Sequence, residues 1–464
     1  MAGIGFELKK LINEQSLKGV MSAAFSGTFV VAGPWLVSTA TLAAVERLPF
    51  FSQPGLAAEF NGAMIWALAL SICLSAAPLY IFVRQSSDLV YKKEKRKAAR
   101  LLVNFAGQMC IISLPAGFLL SLALAGAGPD ALRLRLGFTF LFASANLLWI
   151  STSMGSVIRK RSRILLAYGL GIAIMIPLAG LLGSRWKAAG VLVALAAAYL
   201  AAALTLIWAI DEEFGGAQTY PGMKTEFRSY CIKYRHLALA GLLYSLATWA
   251  DKAIPALRGG ASAGFTHFFV NPDYDNAFYY SNLALIPGLV YFTIFTETDF
   301  ELGLKHLLHS ILKERQPEIR AASGQFYRET LHSITIQTGF QAAVALSLSL
   351  IAGYLGPDLG FSAGLFARLL AASVFQLLLI TSINLLFYLE LYRDAAVAAG
   401  IFLGLNAGLC LLLGPAASSE PVCGWPYLIS CFCSSLFACH FVLQGLRRFS
   451  RLFFLRASGE EYGE

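Results

Sequence analysis

Twelve stretches of roughly 20 mostly apolar residues govern what this chain can fold into. They begin near Val20, Phe60, Leu101, Leu136, Ile164, Ala189, Leu237, Ala277, His332, Gly364, Ala395 and Pro426. The hydrocarbon core of a bilayer is ~30 Å thick, and a helix needs about 20 such residues to cross it. The run from Val191 to Ala198 is apolar on every side, which suits a helix in lipid and lacks the alternation of a barrel strand. Only 14% of the 464 residues are charged, against about 25% in soluble proteins. An ordinary cytosolic enzyme is thereby excluded, and an all-α polytopic membrane protein is expected.

Basic residues fix the direction of the spans, because cytoplasmic loops collect Lys and Arg. With the N-terminus inside, the inner segments hold 28 of the 36 Lys and Arg, and 19 of the 27 Asp and Glu. The whole net charge of +9 is then cytoplasmic. This asymmetry predicts twelve transmembrane helices with both termini in the cytoplasm. Met1–Lys18 carries Glu7, Lys9, Lys10, Glu14 and Lys18 and lacks a cleavage site, so no cleavable signal peptide is expected. Residues 1–19 read as an amphipathic helix on the inner membrane surface, with Ile4, Leu8, Leu11 and Ile12 on one side.

The polar segment 211–236 divides the chain into bundles of six spans, 20–210 and 237–446, followed by a tail at 447–464. Six is even, so the halves are expected to be parallel, pseudo-symmetric repeats around a central cavity. Gly33-Pro34-Trp35 interrupts the first span, and Trp249-Ala250-Asp251-Lys252 followed by Pro255 interrupts the seventh. Proline removes a backbone hydrogen bond and kinks a membrane helix, so Gly33, Pro34 and Pro255 are candidate gating or kink residues. The longest inner connection, from Glu297 to about Leu331, carries a Leu/Ile stripe opposed by Lys305, His309 and Lys313. It reads as an in-plane amphipathic helix around 300–331, or as a dock for a cytosolic partner.

The chain offers little to an enzyme. There is no HExxH, no GxxxxGK[ST], no dinucleotide fingerprint and no CxxC, so neither a cofactor nor a metal is expected. The run Lys92–Lys97 is a short connector between spans. It suits anionic lipid headgroups at ~1 kcal/mol per cation better than nucleic acid, which is not expected as a partner. Ionisable residues inside spans are the informative ones, because lipid tolerates them only beside a cavity or a partner. Asp251, Lys252 and Arg368 qualify. Asp251 and Lys252 point about 100° apart on a helix, so each needs a partner elsewhere, and Arg368 is the candidate for Asp251. Sugars stack on aromatic rings, which adds Trp35, Trp249, Tyr274, Tyr279 and Tyr280 as parts of a glycan path. Asp273 and Asp275 read chiefly as capping or turn residues.

Several strings carry a resemblance. The opening MAGIGFELKKL with Gly33-Pro34-Trp35, then Trp249–Lys252, Asn271-Pro272-Asp273-Tyr274-Asp275 and Phe295-Thr296-Glu297-Thr298-Asp299-Phe300-Glu301, resemble the Pel exopolysaccharide inner-membrane exporter family. The similarity runs over essentially the whole chain, in order and spacing. It implies a member of the multidrug/oligosaccharidyl-lipid/polysaccharide (MOP) flippase superfamily in the bacterial inner membrane. Such proteins move Pel, a hexosamine-rich polymer of the biofilm matrix. The expected partners are the polysaccharide, a cytosolic glycosyltransferase and other inner-membrane Pel proteins, including a cyclic di-GMP sensor. The matched acids Asp273, Asp275, Glu297 and Asp299 join the candidate residues, with no catalytic role. A lipid-linked oligosaccharide flippase or an ion-coupled small-molecule exporter of the same superfamily is the transport alternative. A membrane glycosyltransferase is disfavoured because the loops are too short to hold a catalytic domain.

Overall fold

A computed structural model describes residues 3–14, 16–45, 47, 55–124, 130–155, 161–257, 271–355, 361–414, 417, 419 and 421–457. The outer connection expected between Leu257 and Asn276 falls largely outside the described residues, as does the end of the tail. The described chain is helical: α1 (Gly3–Asn13), α2 (Leu17–Val45), α3 (Leu56–Tyr91), α4 (Lys95–Leu124), α5 (Ala131–Ser153), α6 (Arg161–Phe214), α7 (Met223–Lys233) and α8 (Arg235–Leu257) come first. Then follow α9 (Pro272–Leu283), α10 (Ile286–Tyr291), a π-helical turn (Phe292–Thr296), α11 (Glu297–Lys313), α12 (Gln316–Leu355), α13 (Ala363–Tyr388), α14 (Tyr392–Leu413) and α15 (Trp425–Ala457).

Among the described residues, ten helical segments are long and apolar enough to cross a membrane. One of them, α6, is a hairpin. Lys187 leaves helical geometry at φ 50°, ψ −130°, and the two legs run antiparallel. Arg163 donates to Glu212 at 2.6 Å, and a Cβ on Gly171 would lie 3.0 Å from the Ala198 carbonyl oxygen. Each leg has the ~20 residues a crossing requires. Helix α8 falls outside the ten, and Arg235, His236, Asp251 and Lys252 are the residues that dilute its apolar character.

The helices form two compact units. The first comprises mainly Ala24–Asp275, and the second Ile4–Ala23 with Asn276–Glu464. In the first, α5 packs against α6, α4 and α3, while α3 also carries α7 and α8. Small residues recur in the second leg of α6, where Ala188, Ala189, Ala194, Ala198, Ala202 and Ala203 are all buried. Apolar side chains gain nothing on leaving lipid for one another, so close backbone approach and dispersion hold such bundles together.

In the second unit α13 packs against α12 and α15, and α14 against α15. The first span of this unit is discontinuous. It breaks after α9, resumes at α10 with Pro287 near its start, and passes through the π turn into α11. Two buried glutamines one turn apart on α12 hold this break. The Gln341 amide donates to the Ala284 carbonyl at 3.0 Å and to Ser373 Oγ at 3.2 Å. Thr296 donates to Gln337 at 2.8 Å, and Gln337 donates to Thr381 at 2.7 Å.

Two stretches take shapes that their sequence pattern did not specify. The segment 300–331 is interrupted at Glu314, which is extended (φ −108°, ψ 171°). Its first part continues the discontinuous span as α11, and its second part opens α12. The two pack through Phe300 and Phe326, ring centres 5.1 Å apart. The N-terminal helix ends at Asn13, and its apolar side lies against protein: Ile4 and Leu8 are 1% and 0% exposed. A Cβ on Gly5 would collide with the Thr293 carbonyl oxygen. Glycine permits that approach.

Candidate functional site

The charged residues of the seventh span find their partners at the start of α9, within the first unit. Lys252 Nζ donates to Asp275 Oδ1, and Tyr274 Oη donates to Asp251 Oδ2. Both pairs are separated by 23 residues. Neighbours diverge by about 100° on each helix, so two adjacent residues on α8 meet two adjacent residues on α9 one to one. The start of α9 is built to hold this arrangement. Pro272 occupies its first position, where a missing N–H costs nothing, and the Tyr274 N–H donates to Asn271 Oδ1 at 3.4 Å. Asp275 Oδ2 accepts from the Asn271 N–H at 3.2 Å. Asp275 thus bonds back to the Asn271 N–H at the helix start and also serves as counter-ion to Lys252. Asp273 is exposed at the first turn. The Lys252 and Asp275 side chains are each 6% exposed, a buried ion pair with a second carboxylate beside it.

Arg368, the sequence candidate for Asp251, donates its Nε–H to the Cys423 carbonyl at 3.0 Å. In the first span, Gly33 lies flat against the Tyr168 ring. The Pro34 carbonyl accepts from Tyr199 Oη at 3.0 Å and Ser38 Oγ at 3.2 Å. Trp35 and Trp249 are half-buried. Tyr279 and Tyr280 meet edge to face at 5.7 Å. Tyr280 is 49% exposed and lines an apolar groove of about 800 Å³ with Pro287, Phe340, Val344, Leu348 and Phe366.

The remaining family-motif acids sit on the discontinuous span of the second unit. Glu297 accepts a 2.5 Å hydrogen bond from Tyr388 Oη. Asp299 pairs with Lys9 of the N-terminal helix. Lys9 also lies 3.5 Å from Thr298 Oγ1 and 5.9 Å from the centre of the Phe295 ring. Lys305 sits 5.8 Å over Phe6. The opening string and the Phe295–Glu301 string are therefore in contact.

Sequence reasoning missed Tyr388, Tyr168 and Tyr199, whose roles depend on neighbours far away in the chain. It also passed over Gln337 and Gln341, which did leave a signal: two amides four apart inside an apolar span. On the polar 211–236 segment, Tyr230 Oη donates to Asp88 at 2.9 Å and Tyr220 Oη to Glu226 at 2.5 Å. Burial first, and then the neighbouring carboxylates, push both phenols well above the usual tyrosine range. Both stay protonated donors at any physiological pH. Among the described residues no cluster of His, Cys, Asp and Glu is placed to hold a metal ion, and the eight cysteines are not in disulfides.

Solved structures place this arrangement of membrane helices in a known fold. A MOP superfamily transporter from Pyrococcus furiosus Vc1 is similar, with TM-score 0.57, 13% identity, and 92% of this chain and 95% of that chain covered. A MATE transporter in a bent conformation has TM-score 0.59 at 14% identity, covering 98% of this chain and 99% of that one. An outward-facing multidrug resistance MATE family transporter has TM-score 0.58 at 14% identity, covering 93% and 95%. The fold is that of the MOP transporters, and the protein is a multi-pass membrane protein. No curated protein sequence matches the chain. Residues 1–454 match the PelG exopolysaccharide exporter (EPS-E) family. The chain belongs to that family, and it is a polysaccharide transporter.

Proposed function

We propose that this protein carries a Pel-like, hexosamine-rich exopolysaccharide across the bacterial inner membrane while the polymer is being made, for export to the biofilm matrix. It crosses twelve times with both termini in the cytoplasm. Counting the α6 hairpin as two crossings and adding α8 brings the ten apolar segments to that number, and the basic inner loops support the orientation. The halves 20–210 and 237–446 are taken as the two repeats. The expected partners are a cytosolic glycosyltransferase, anionic lipids and inner-membrane Pel proteins, one of which senses cyclic di-GMP.

The observation that carries this reading is the match to the family over 454 residues. The substrate path is assigned to Trp35, Trp249, Asp251, Lys252, Arg368, Tyr279 and Tyr280, with Gly33, Pro34 and Pro255 allowing the helices to bend. A long polymer exceeds any cavity of a few sugars, so it threads stepwise as synthesis pushes it. The test is translocation into proteoliposomes with and without the cognate glycosyltransferase, under an imposed proton gradient. Polymer inside only when synthesis runs, whatever the gradient, supports the proposal. Gradient-driven movement of small substrates without synthesis overturns it in favour of an antiporter.

A further inference from the structure

The N-terminal helix is docked on the π turn of the second unit, where the span departs from α-helical bonding. A π turn holds one residue more than an α turn, so returning Phe292–Thr296 to α bonding rotates one side of the span against the other by ~100° and shifts it by ~1.5 Å. Helix α1 lies on the flank of that turn. Gly5 packs on the Thr293 carbonyl, Lys9 reaches Thr298, Asp299 and the Phe295 ring, and Lys305 sits over Phe6. From the inside, Thr296 is held by Gln337, which is held in turn by Thr381.

We infer that α1 is a latch on the π turn. Docked, it holds the span in the register seen here; released, it lets 292–296 change bonding and turns α10 relative to α11 during transport. This rests on the transport function and adds a moving part to it. The docking is small enough to be undone. It buries Ile4 and Leu8 fully, but the side chains of its ion pair remain 24% and 46% exposed, and exposed pairs contribute little net stability. Eleven residues are too few to stay helical alone.

Phe6→Cys with Lys305→Cys, in the full chain with native cysteines replaced, allows the latch to be locked by a bis-methanethiosulfonate reagent. Locked protein is expected to export polymer at least tenfold more slowly, with recovery in the same sample on reduction. Unchanged export in the locked state overturns the latch. Hydrogen exchange supplies a readout independent of transport. Lys9→Glu, which sets a second carboxylate against Asp299, should raise amide exchange at 292–296 about twofold to fivefold, and Lys9→Glu combined with Asp299→Lys should bring it back. Exchange that is unaffected by Lys9→Glu overturns the inference even if export itself were to fail in every sample. Absence of polymer transport by the unlocked parent would count against the transport function alone.

Discussion

Neutralising Lys252 separates what holds the first unit together from what moves cargo. The Lys252 and Asp275 side chains are each 6% exposed, so Lys252→Met strips Asp275 of its counter-ion without opening it to water. Two charges 4 Å apart attract by ~4 kcal/mol at an effective dielectric of 20, and breaking a buried pair from one side costs about 3–5 kcal/mol. In a unit of this size each kcal/mol shifts the melting point by roughly 2–4 °C, so Lys252→Met is expected to lower Tm by about 6–20 °C. Asp275→Leu should do the same and also remove the acceptor for the Asn271 N–H. The double variant removes both charges, and buried pairs replaced by apolar residues of similar volume are often neutral in stability. Its Tm is expected to return to within a few degrees of the parent, which intrinsic tryptophan fluorescence in detergent can follow. Export is expected to be lost, because Lys252, one of the charges assigned to the path, is gone. A double variant with restored Tm and full export would refute the functional assignment and leave the pair as scaffolding. A single variant with unchanged Tm would refute the burial argument.

Three further outcomes follow from named contacts. Gly33→Val places a branched side chain into the Tyr168 ring, which is itself 1% exposed. Overpacking of this kind costs about 1–3 kcal/mol, and Tm should fall accordingly, while Gly107→Val, which meets open space, should change Tm far less. Gln341→Leu removes the donor to the Ala284 carbonyl. Interhelical hydrogen bonds in membranes contribute about 0.6 kcal/mol on average, so Tm should drop modestly, whereas hydrogen exchange around 285–289 should rise clearly. Burial raises the Cys231 thiol above its ordinary pKa. A raised pKa leaves less thiolate at neutral pH, so iodoacetamide should modify Cys231 more slowly than a free cysteine, and the rate should still be climbing above pH 9.

The spans were legible because lipid imposes a length and a composition that no tertiary contact can override. The α6 hairpin illustrates this. Its turn falls at Ser184-Arg185-Trp186-Lys187, the short charged break between the fifth and sixth apolar runs, although the helix continues up to Trp186 and resumes after Lys187. Partners were legible to a lesser degree. Helical geometry alone required Asp251 and Lys252 to find separate partners, but it could not name them, since Tyr274 and Asp275 lie across a connection whose path no periodicity encodes. The Arg368 contact with the Cys423 carbonyl was not legible for a different reason: every residue offers a backbone carbonyl, so composition carries no trace of the choice.

The strings that carry the family resemblance are not independent marks along the chain. Trp249–Lys252 and Asn271–Asp275 join through two side-chain pairs, and the opening residues meet Phe295–Glu301 through Gly5, Lys9 and Phe6. A charge set into a membrane helix is tolerable only with its complement in place, so each string constrains another far away in the sequence. That makes order and spacing more telling than any single motif. The two pairs also differ in cost: the buried pair at the end of α8 costs about 3–5 kcal/mol to break from one side, and the half-exposed pair at α1 costs little.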